Sequence, residues 1–284
     1  MDAYRLHLEA LGRSPYTVRA QISVLRCFGR FANSEKHCAC PLTSPNLPAI
    51  ACAWIASLYG LYSRYSIRNY VLTMRSFYRW AVAEGRAACN PFDGLPVPKP
   101  HDVAIRPYSR NELRRFLRAT TDSPRDQAIL LLLIATGMRA NELVHLEVAD
   151  VDWGRGTILI RQGKGGKSRR VAPGQYALAV LRRYLETCRV HRGRLFPIRP
   201  DSLYHCIVRL GELAGIEGAN VHRFRHSYAH EFLENGGDVG DLKVILGHST
   251  ITMSLRYAAY YAAERALESQ KRLNPADRLF AGTA

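Results

Sequence analysis

No apolar run in this 284-residue sequence is long enough to cross a bilayer. The longest, AILLLLIA at 128–135, falls far short of the roughly 20 residues a membrane helix needs, and Arg125, Asp126 and Arg139 bracket it. The run reads as a core helix. The opening stretch MDAYRLHLEALGRS has an acid at position 2 and mixes charged with apolar residues, so the basic-then-apolar layout of an export signal is missing. A cytoplasmic protein is expected. Carboxylates are scarce: 24 Asp and Glu stand against 40 Lys and Arg, a formal net charge of +16. Such a surplus costs self-repulsion and points to a polyanionic partner. A membrane surface would call for a polybasic run, an amphipathic basic helix or a lipidation signal, and none is found. Nucleic acid is left as the expected partner. The seven cysteines form no framework either, being odd in number in a chain without an export signal, and reduced thiols are expected. HCAC at 37–40 could be joined only awkwardly by Cys27 and Cys52, so no metal or other cofactor is expected. Internal repeats and low-complexity tracts are absent.

What is present divides the chain. Five prolines and a glycine in residues 90–113 forbid continuous helix. The expected organisation is an N-terminal helical DNA-binding domain over 1–98, a linker over 99–107 and a C-terminal domain over 108–284. In the first part, Ser14 caps a helix with Pro15 at its first position, and Ser63 caps another that runs to a stop at Gly85. Arg19, Arg26 and Arg30 fall on one stripe of the first helix, and Arg64, Arg68, Arg75 and Arg79 on one stripe of the second. A solvated charged face would account for either stripe alone. Two stripes of one sign, with almost no interleaved carboxylates, favour a surface that grips phosphates. Ile67, Val71, Met74 and Tyr78 supply the apolar face beside the second stripe.

The second part begins with a helix capped by Ser123 that runs to about Ala135, followed by a shorter one in RANELVHLEVADVDW. TILIRQ at 157–162 and SRRVAP at 168–173 read as strands joined by a Gly-rich turn, and helical segments follow to the tail. The fold class expected is mainly α with a small antiparallel β-sheet.

Four motifs carry chemistry: ATGMRANEL with Arg139, GKGGKSRRV with Lys164, VHRFRHSYAHEFLENG with His222 and Arg225, and LGHSTITMSLRYA with His248 and Tyr257. In that order and spacing they resemble the tyrosine recombinases. SPYTVRAQISVLRCFGRFA and SIRNYVLTMRSFYRWAVAEGRAACNPFDGLPVPK resemble the core-binding (SAM-like) domain of the Xer and phage-integrase branch. The resemblance implies a helical core-binding bundle before an α+β catalytic domain. It also implies that Tyr257 attacks the scissile phosphate to form a 3′-phosphotyrosyl link.

Elementary chemistry agrees with this set. Breaking a phosphodiester without metal requires a nucleophile, positive charge around the phosphorane and a proton donor for the leaving oxygen. Arg139 and Arg225 suit the two non-bridging oxygens, the alternative for each being an ion pair with Glu142 or another carboxylate. The resemblance gives Lys164 the general-acid role, with Lys167 its competitor; Lys167 and Arg169 are expected to meet phosphates. It gives His222 the tyrosine proton, His248 a hydrogen bond to the phosphate, and Glu142 a buttressing role behind the site. Arg223 adds a positive charge beside the phosphate. His226 and His230 read as satisfied core histidines and are set aside. The resemblance further implies a homo-tetramer that joins two duplexes at inverted-repeat core sites and works through a Holliday junction in integration, excision or resolution. The free protein is expected to be a monomer or weak oligomer, nucleoid-associated once on DNA. The tail AAYYAAERALESQKRL is expected to dock on a neighbouring protomer. Alternatives are a type IB topoisomerase-like relaxation of one duplex, and a DNA-binding regulator that has lost the chemistry; the intact catalytic set argues against the second.

Overall fold

The computed structural model describes residues 1–34, 46–99, 106–161 and 168–275, without the side chain of Glu264. Lys164, Lys167, the HCAC stretch and most of the expected linker therefore lie outside the described residues. The chain forms two compact units, Met1–Val103 and Ala104–Ala284.

The first unit is helical, with α1 at Asp2–Ala10, α2 at Pro15–Ala32, α3 at Leu47–Leu58 and α4 at Arg64–Ala83. Ser14 Oγ accepts the Thr17 amide at 3.2 Å and Ser63 Oγ accepts that of Ser66 at 3.2 Å, so both caps use amides a helix start would otherwise leave unpaired. The core is aromatic. Phe28, Trp54, Tyr78 and Phe92 are buried, and Phe28 meets Trp54 and Phe92 edge-on.

The second unit contains α5 at Arg110–Arg118, α6 at Pro124–Thr136, α7 at Ala140–Val144, β1 at Val151–Asp152, β2 at Thr157–Ile160 and β3 at Arg169–Val171. There follow α8 at Gln175–Thr187, α9 at Pro200–Leu213, α10 at Val221–Glu234, α11 at Val239–Leu246 and α12 at Ile251–Arg272. Ile129, Leu130, Leu132 and Leu133 are fully buried, so α6 is enclosed on nearly every side. This is why its apolar run has no helical period. The strands form an antiparallel sheet in the order β1-β2-β3, with Ile158 opposite Val171. A smaller cluster of Ala229, Leu233, Leu242, Leu246 and Tyr257 seats α12 against α10 and α11. The mainly α architecture with its small antiparallel sheet is as the sequence indicates. None of the described helices is long and apolar enough to cross a membrane.

Candidate active site

Two glycines shape the site. Gly137 ends α6 at φ 59° and Gly247 ends α11 at φ 63°, left-handed conformations that side chains rarely adopt. A Cβ on Gly137 would stand 2.9 Å from Leu246, and one on Gly247 3.0 Å from Arg169. The first turn brings Arg139 to the start of α7. The second brings His248 to the turn before α12.

Arg225, only 2% exposed on α10, donates Nη1 to Gly137 O at 3.0 Å and Nη2 to Leu246 O at 2.7 Å. Both acceptors are carbonyls at helix C-termini, where partial negative charge offsets burial of a cation. Loss of water, then the repulsion of Arg139, brings its pKa down to about 10, so it stays charged at neutral pH. Two of its N–H groups serve the backbone, and the guanidinium also hydrogen-bonds the Tyr257 phenol.

Arg139 donates Nη1 to Glu142 Oε1 at 2.8 Å, and its amide donates to Oε2 at 2.8 Å. Glu142 also takes both Nη groups of Arg169, at 2.9 and 2.7 Å. Burial alone would raise the Glu142 carboxyl; the bonds from Arg169 and the Arg139 amide, with the two positive charges, outweigh it and hold the group below the usual carboxylate range. Arg169 also donates Nε to Ile245 O at 2.7 Å, and only 8% of its side chain is exposed. The expectation that Arg169 meets DNA is therefore corrected, because its guanidinium is committed to Glu142 and the end of α11.

Tyr257 projects from α12 into this basic cluster and is 8% exposed. Its hydroxyl lies 2.9 Å from His226 Nδ1, and its ring stacks on His248 at 5.9 Å and 8°. Burial raises the phenol pKa, with Arg225, Arg139 and Arg256 pulling the other way. His248 Nδ1 is 2.7 Å from Ser254 Oγ, and both residues are buried. His226 and His248 are each pushed down to about 4, by burial first and then by positive neighbours, Arg225 among both sets, so both are neutral at physiological pH. His222 stands exposed at the start of α10, its ring 5.0 Å from that of His226 and nearly perpendicular to it. Partial desolvation, Arg225 and Arg139 lower its pKa.

The structure thus gathers Arg139, Glu142, His222, Arg225, His248 and Tyr257. Setting His226 aside as a core residue is corrected: it is the ring hydrogen-bonded to the phenol, and its place four residues after His222 was the available signal. Ser254, three residues before Tyr257, was also missed. Arg223 is not a free positive charge. It lies over the Tyr108 ring at 3.9 Å, donates Nη1 to Glu217 O at 3.0 Å and pairs with Glu112 at 3.4 Å.

In the first unit, Arg19, Arg26, Arg30, Arg64 and Arg79 are exposed and Arg68 is half-buried. Arg75 departs from its stripe: Nε donates to Phe92 O at 3.0 Å and Nη2 to Leu95 O, so it fastens the segment after α4 instead of facing a phosphate. Between α2 and α4 runs a groove lined by polar groups that include Thr17, Gln21, Asn69, Thr73 and Ser76, which charge patterning could not reveal. Among the described residues, His230, Glu231 and Glu234 lie close enough to share a cation, but Arg110 already pairs with Glu231 at 2.9 Å and Glu234 at 3.2 Å.

A buried tyrosine among two arginines and neutral histidines has the composition of a phosphoryl-transfer site. The sequence profile of the Phage integrase family matches residues 107–264. Tyrosine recombinase XerC of Xylella fastidiosa (strain 9a5c) is 35% identical over 206 residues, covering 68% of this chain and 69% of the relative. Tyrosine recombinase XerC of Mycobacterium sp. (strain KMS) is 30% identical over 296 residues, covering 95% and 97%. Among solved structures, a lambda integrase tetramer bound to a Holliday junction shares the fold with TM-score 0.73 and 18% identity, covering 90% of this chain and 75% of that one. This chain belongs to the phage integrase family and is a tyrosine-type site-specific DNA recombinase.

Proposed function

We propose that the protein exchanges DNA strands at inverted-repeat core sites, four protomers joining two duplexes and passing through a Holliday junction. The observation that carries this reading is the buried Tyr257 hydroxyl beside His226 and the Arg225–Arg139 pair. Tyr257 is the nucleophile, and Arg139 and Arg225 take the non-bridging oxygens. His248 donates to the phosphate, Lys164 protonates the leaving 5′-oxygen, and His222 takes the tyrosine proton. The 5′-hydroxyl of the partner strand then reseals the link, so the phosphotyrosine conserves the bond energy and no ATP is spent.

The first unit grips DNA through Arg19, Arg26, Arg30, Arg64, Arg68 and Arg79, with Lys167 a further phosphate contact. The groove between α2 and α4 offers Asn69 to base edges, where an amide pairs well with adenine, while the Gln21 oxygen is taken by the Tyr4 hydroxyl at 3.0 Å. Replacing Arg64 and Arg68 together by Ala should weaken binding to all sequences and reduce the slope of log affinity against log salt by up to about 2. Arg75→Ala should leave that slope unchanged and instead cost about 1–3 kcal/mol of stability, because it strands carbonyls at Phe92 and Leu95. Affinity measured across a salt series and thermal melts separate the two outcomes.

The distal half of α12 supports the tetramer. It continues the helix that carries Tyr257, yet Ala262, Ala263 and Ala266 are exposed and Leu267 is 58% exposed. Docking this half on a neighbour would move the nucleophile with it and link the active sites around a ring. A chain ending at Tyr261 should bind and cleave a single half-site but fail to recombine two sites. Full recombination by that chain would remove the ring model and favour topoisomerase-like action. Loss of half-site binding would make the distal half part of the protomer's own fold.

A further inference from the structure

We infer that Ser254 is a positioning residue: its hydroxyl holds the His248 ring in one orientation and one tautomer, with Nδ1 bare and Nε2–H presented to the scissile phosphate. The inference rests on the recombinase reading above, in which His248 donates to that phosphate. Ser254 ends the first turn of α12, is fully buried, and places its Oγ 2.7 Å from His248 Nδ1. A serine inside a helix ordinarily turns its hydroxyl to a carbonyl of the preceding turn. This one does not. Among the described residues, His248 is the hydroxyl's only hydrogen-bond partner.

That single partner decides which nitrogen carries the hydrogen. If Nδ1 gave a hydrogen to Oγ, the hydroxyl hydrogen would be left without an acceptor in a place closed to water, an arrangement that buried donors avoid. If the hydroxyl instead donates to a bare Nδ1, both atoms are satisfied. The second arrangement is the stable one. His248 is neutral at physiological pH, because burial and then positive neighbours bring its pKa down to about 4, so it has one ring hydrogen to place. With Nδ1 used as an acceptor, that hydrogen sits on Nε2 and is free to donate.

The ring is held from other sides as well. Its face stacks on Tyr257 at 8°, and the His248 amide donates to Lys243 O at 3.0 Å. Ser254 and Tyr257 stand one turn apart on α12, so the helix that carries the nucleophile also sets the phosphate donor. Without the hydroxyl, the ring can rotate about its own axis and populate either tautomer.

The test uses the full chain and nicked duplexes carrying the half-site that the protein selects from a randomised pool. Ser254→Ala deletes one oxygen and should leave half-site affinity close to that of the parent chain. Single-turnover adduct formation at saturating DNA should slow by roughly 10–10²-fold, the usual order of loss when a group that orients an active ring is removed. A role in folding alone would lower Tm without changing the rate per folded molecule. In a His248→Ala chain, which has no ring to orient, adding Ser254→Ala should cause no further loss of rate. Nitrogen NMR reads the tautomer in the free protein: Nδ1 of His248 should be unprotonated and Nε2 protonated in the parent. In the Ser254→Ala chain the two nitrogen shifts should approach each other. A hydrogen on Nδ1 of the parent overturns the proposal. So does an Ala chain that cleaves at the parent rate, or one whose loss is the same with and without the His248 ring. If the parent forms no adduct on any selected duplex, the recombinase reading fails, and the nitrogen spectrum still decides whether Ser254 sets the tautomer.

Discussion

Tyr257→Phe should abolish the covalent protein–DNA adduct while leaving DNA affinity and thermal stability close to those of the parent chain. The substitution deletes one oxygen. The ring remains, so the stack on His248 at 5.9 Å and the packing against Leu242 and Leu246 are preserved. What is lost from the fold is the hydrogen bonding of the phenol to His226 and Arg225, about 0.5–1.5 kcal/mol for an ordinary bond and about 1.5–3 kcal/mol to a charged partner. What is lost from the reaction is the nucleophile, and removal of a nucleophile costs on the order of 10⁶-fold. The measurement is capture of a nicked duplex as a band that survives denaturant, run beside a binding titration. The test also discriminates among neighbours. Tyr260 and Tyr261 follow on α12, with their rings 6.0 and 6.1 Å from that of His230. An adduct formed by the Phe chain would move the nucleophile to one of them and require α12 to turn before it reacts.

The elements that local chemistry determines were readable in advance. Ser14, Ser63 and Ser123 cap helices because a hydroxyl there meets amides two or three residues on, and both partners lie in one short stretch. Three motifs were likewise readable, since Arg139 stands at the start of α7, His222 and Arg225 share α10, and His248 and Tyr257 fall in the turn before α12 and on α12 itself. Strand β1 was missed. Its two residues pair with Ile158 and Thr157, and two residues carry no period of their own.

The misread arginines share a different cause. Periodicity says which side of a helix a guanidinium leaves from, but not which carbonyl or carboxylate it finds. Arg75 finds carbonyls at Phe92 and Leu95, and Arg169 finds Glu142 and Ile245 O. A backbone carbonyl looks the same at every position in a sequence. Only the path of the chain tells which one comes within reach. His226 is the converse case: its spacing from His222 was plain, but its partner depends on how α12 lies against α10.

The largest stability effect should come from Glu142→Ala. This carboxylate is 3% exposed and is shared by Arg139 and Arg169, so its removal leaves two guanidiniums facing each other with no counter-charge between them. Breaking a buried pair by deleting one partner costs about 3–5 kcal/mol. In a unit of this size that corresponds to a fall in Tm on the order of 10 °C. Cleavage should fall too, by roughly 10²-fold, because Arg139 loses both bonds that aim it from the start of α7. The double variant Glu142→Ala with Arg169→Met separates these effects. It removes the stranded cation and should recover much of the Tm, yet it leaves Arg139 without its buttress and should not recover cleavage. Acid gives the same information in the unaltered protein. The carboxyl is held below its ordinary pKa, so the stability it contributes is complete above the usual carboxylate range and is lost as the pH falls through the depressed value. Glu142→Gln should remove that part of the acid sensitivity and lie between the parent and Ala chains in Tm. An Ala chain with the parent's Tm and cleavage rate would mean that the two arginines hold their positions without Glu142, Arg169 through its bond to the Ile245 carbonyl.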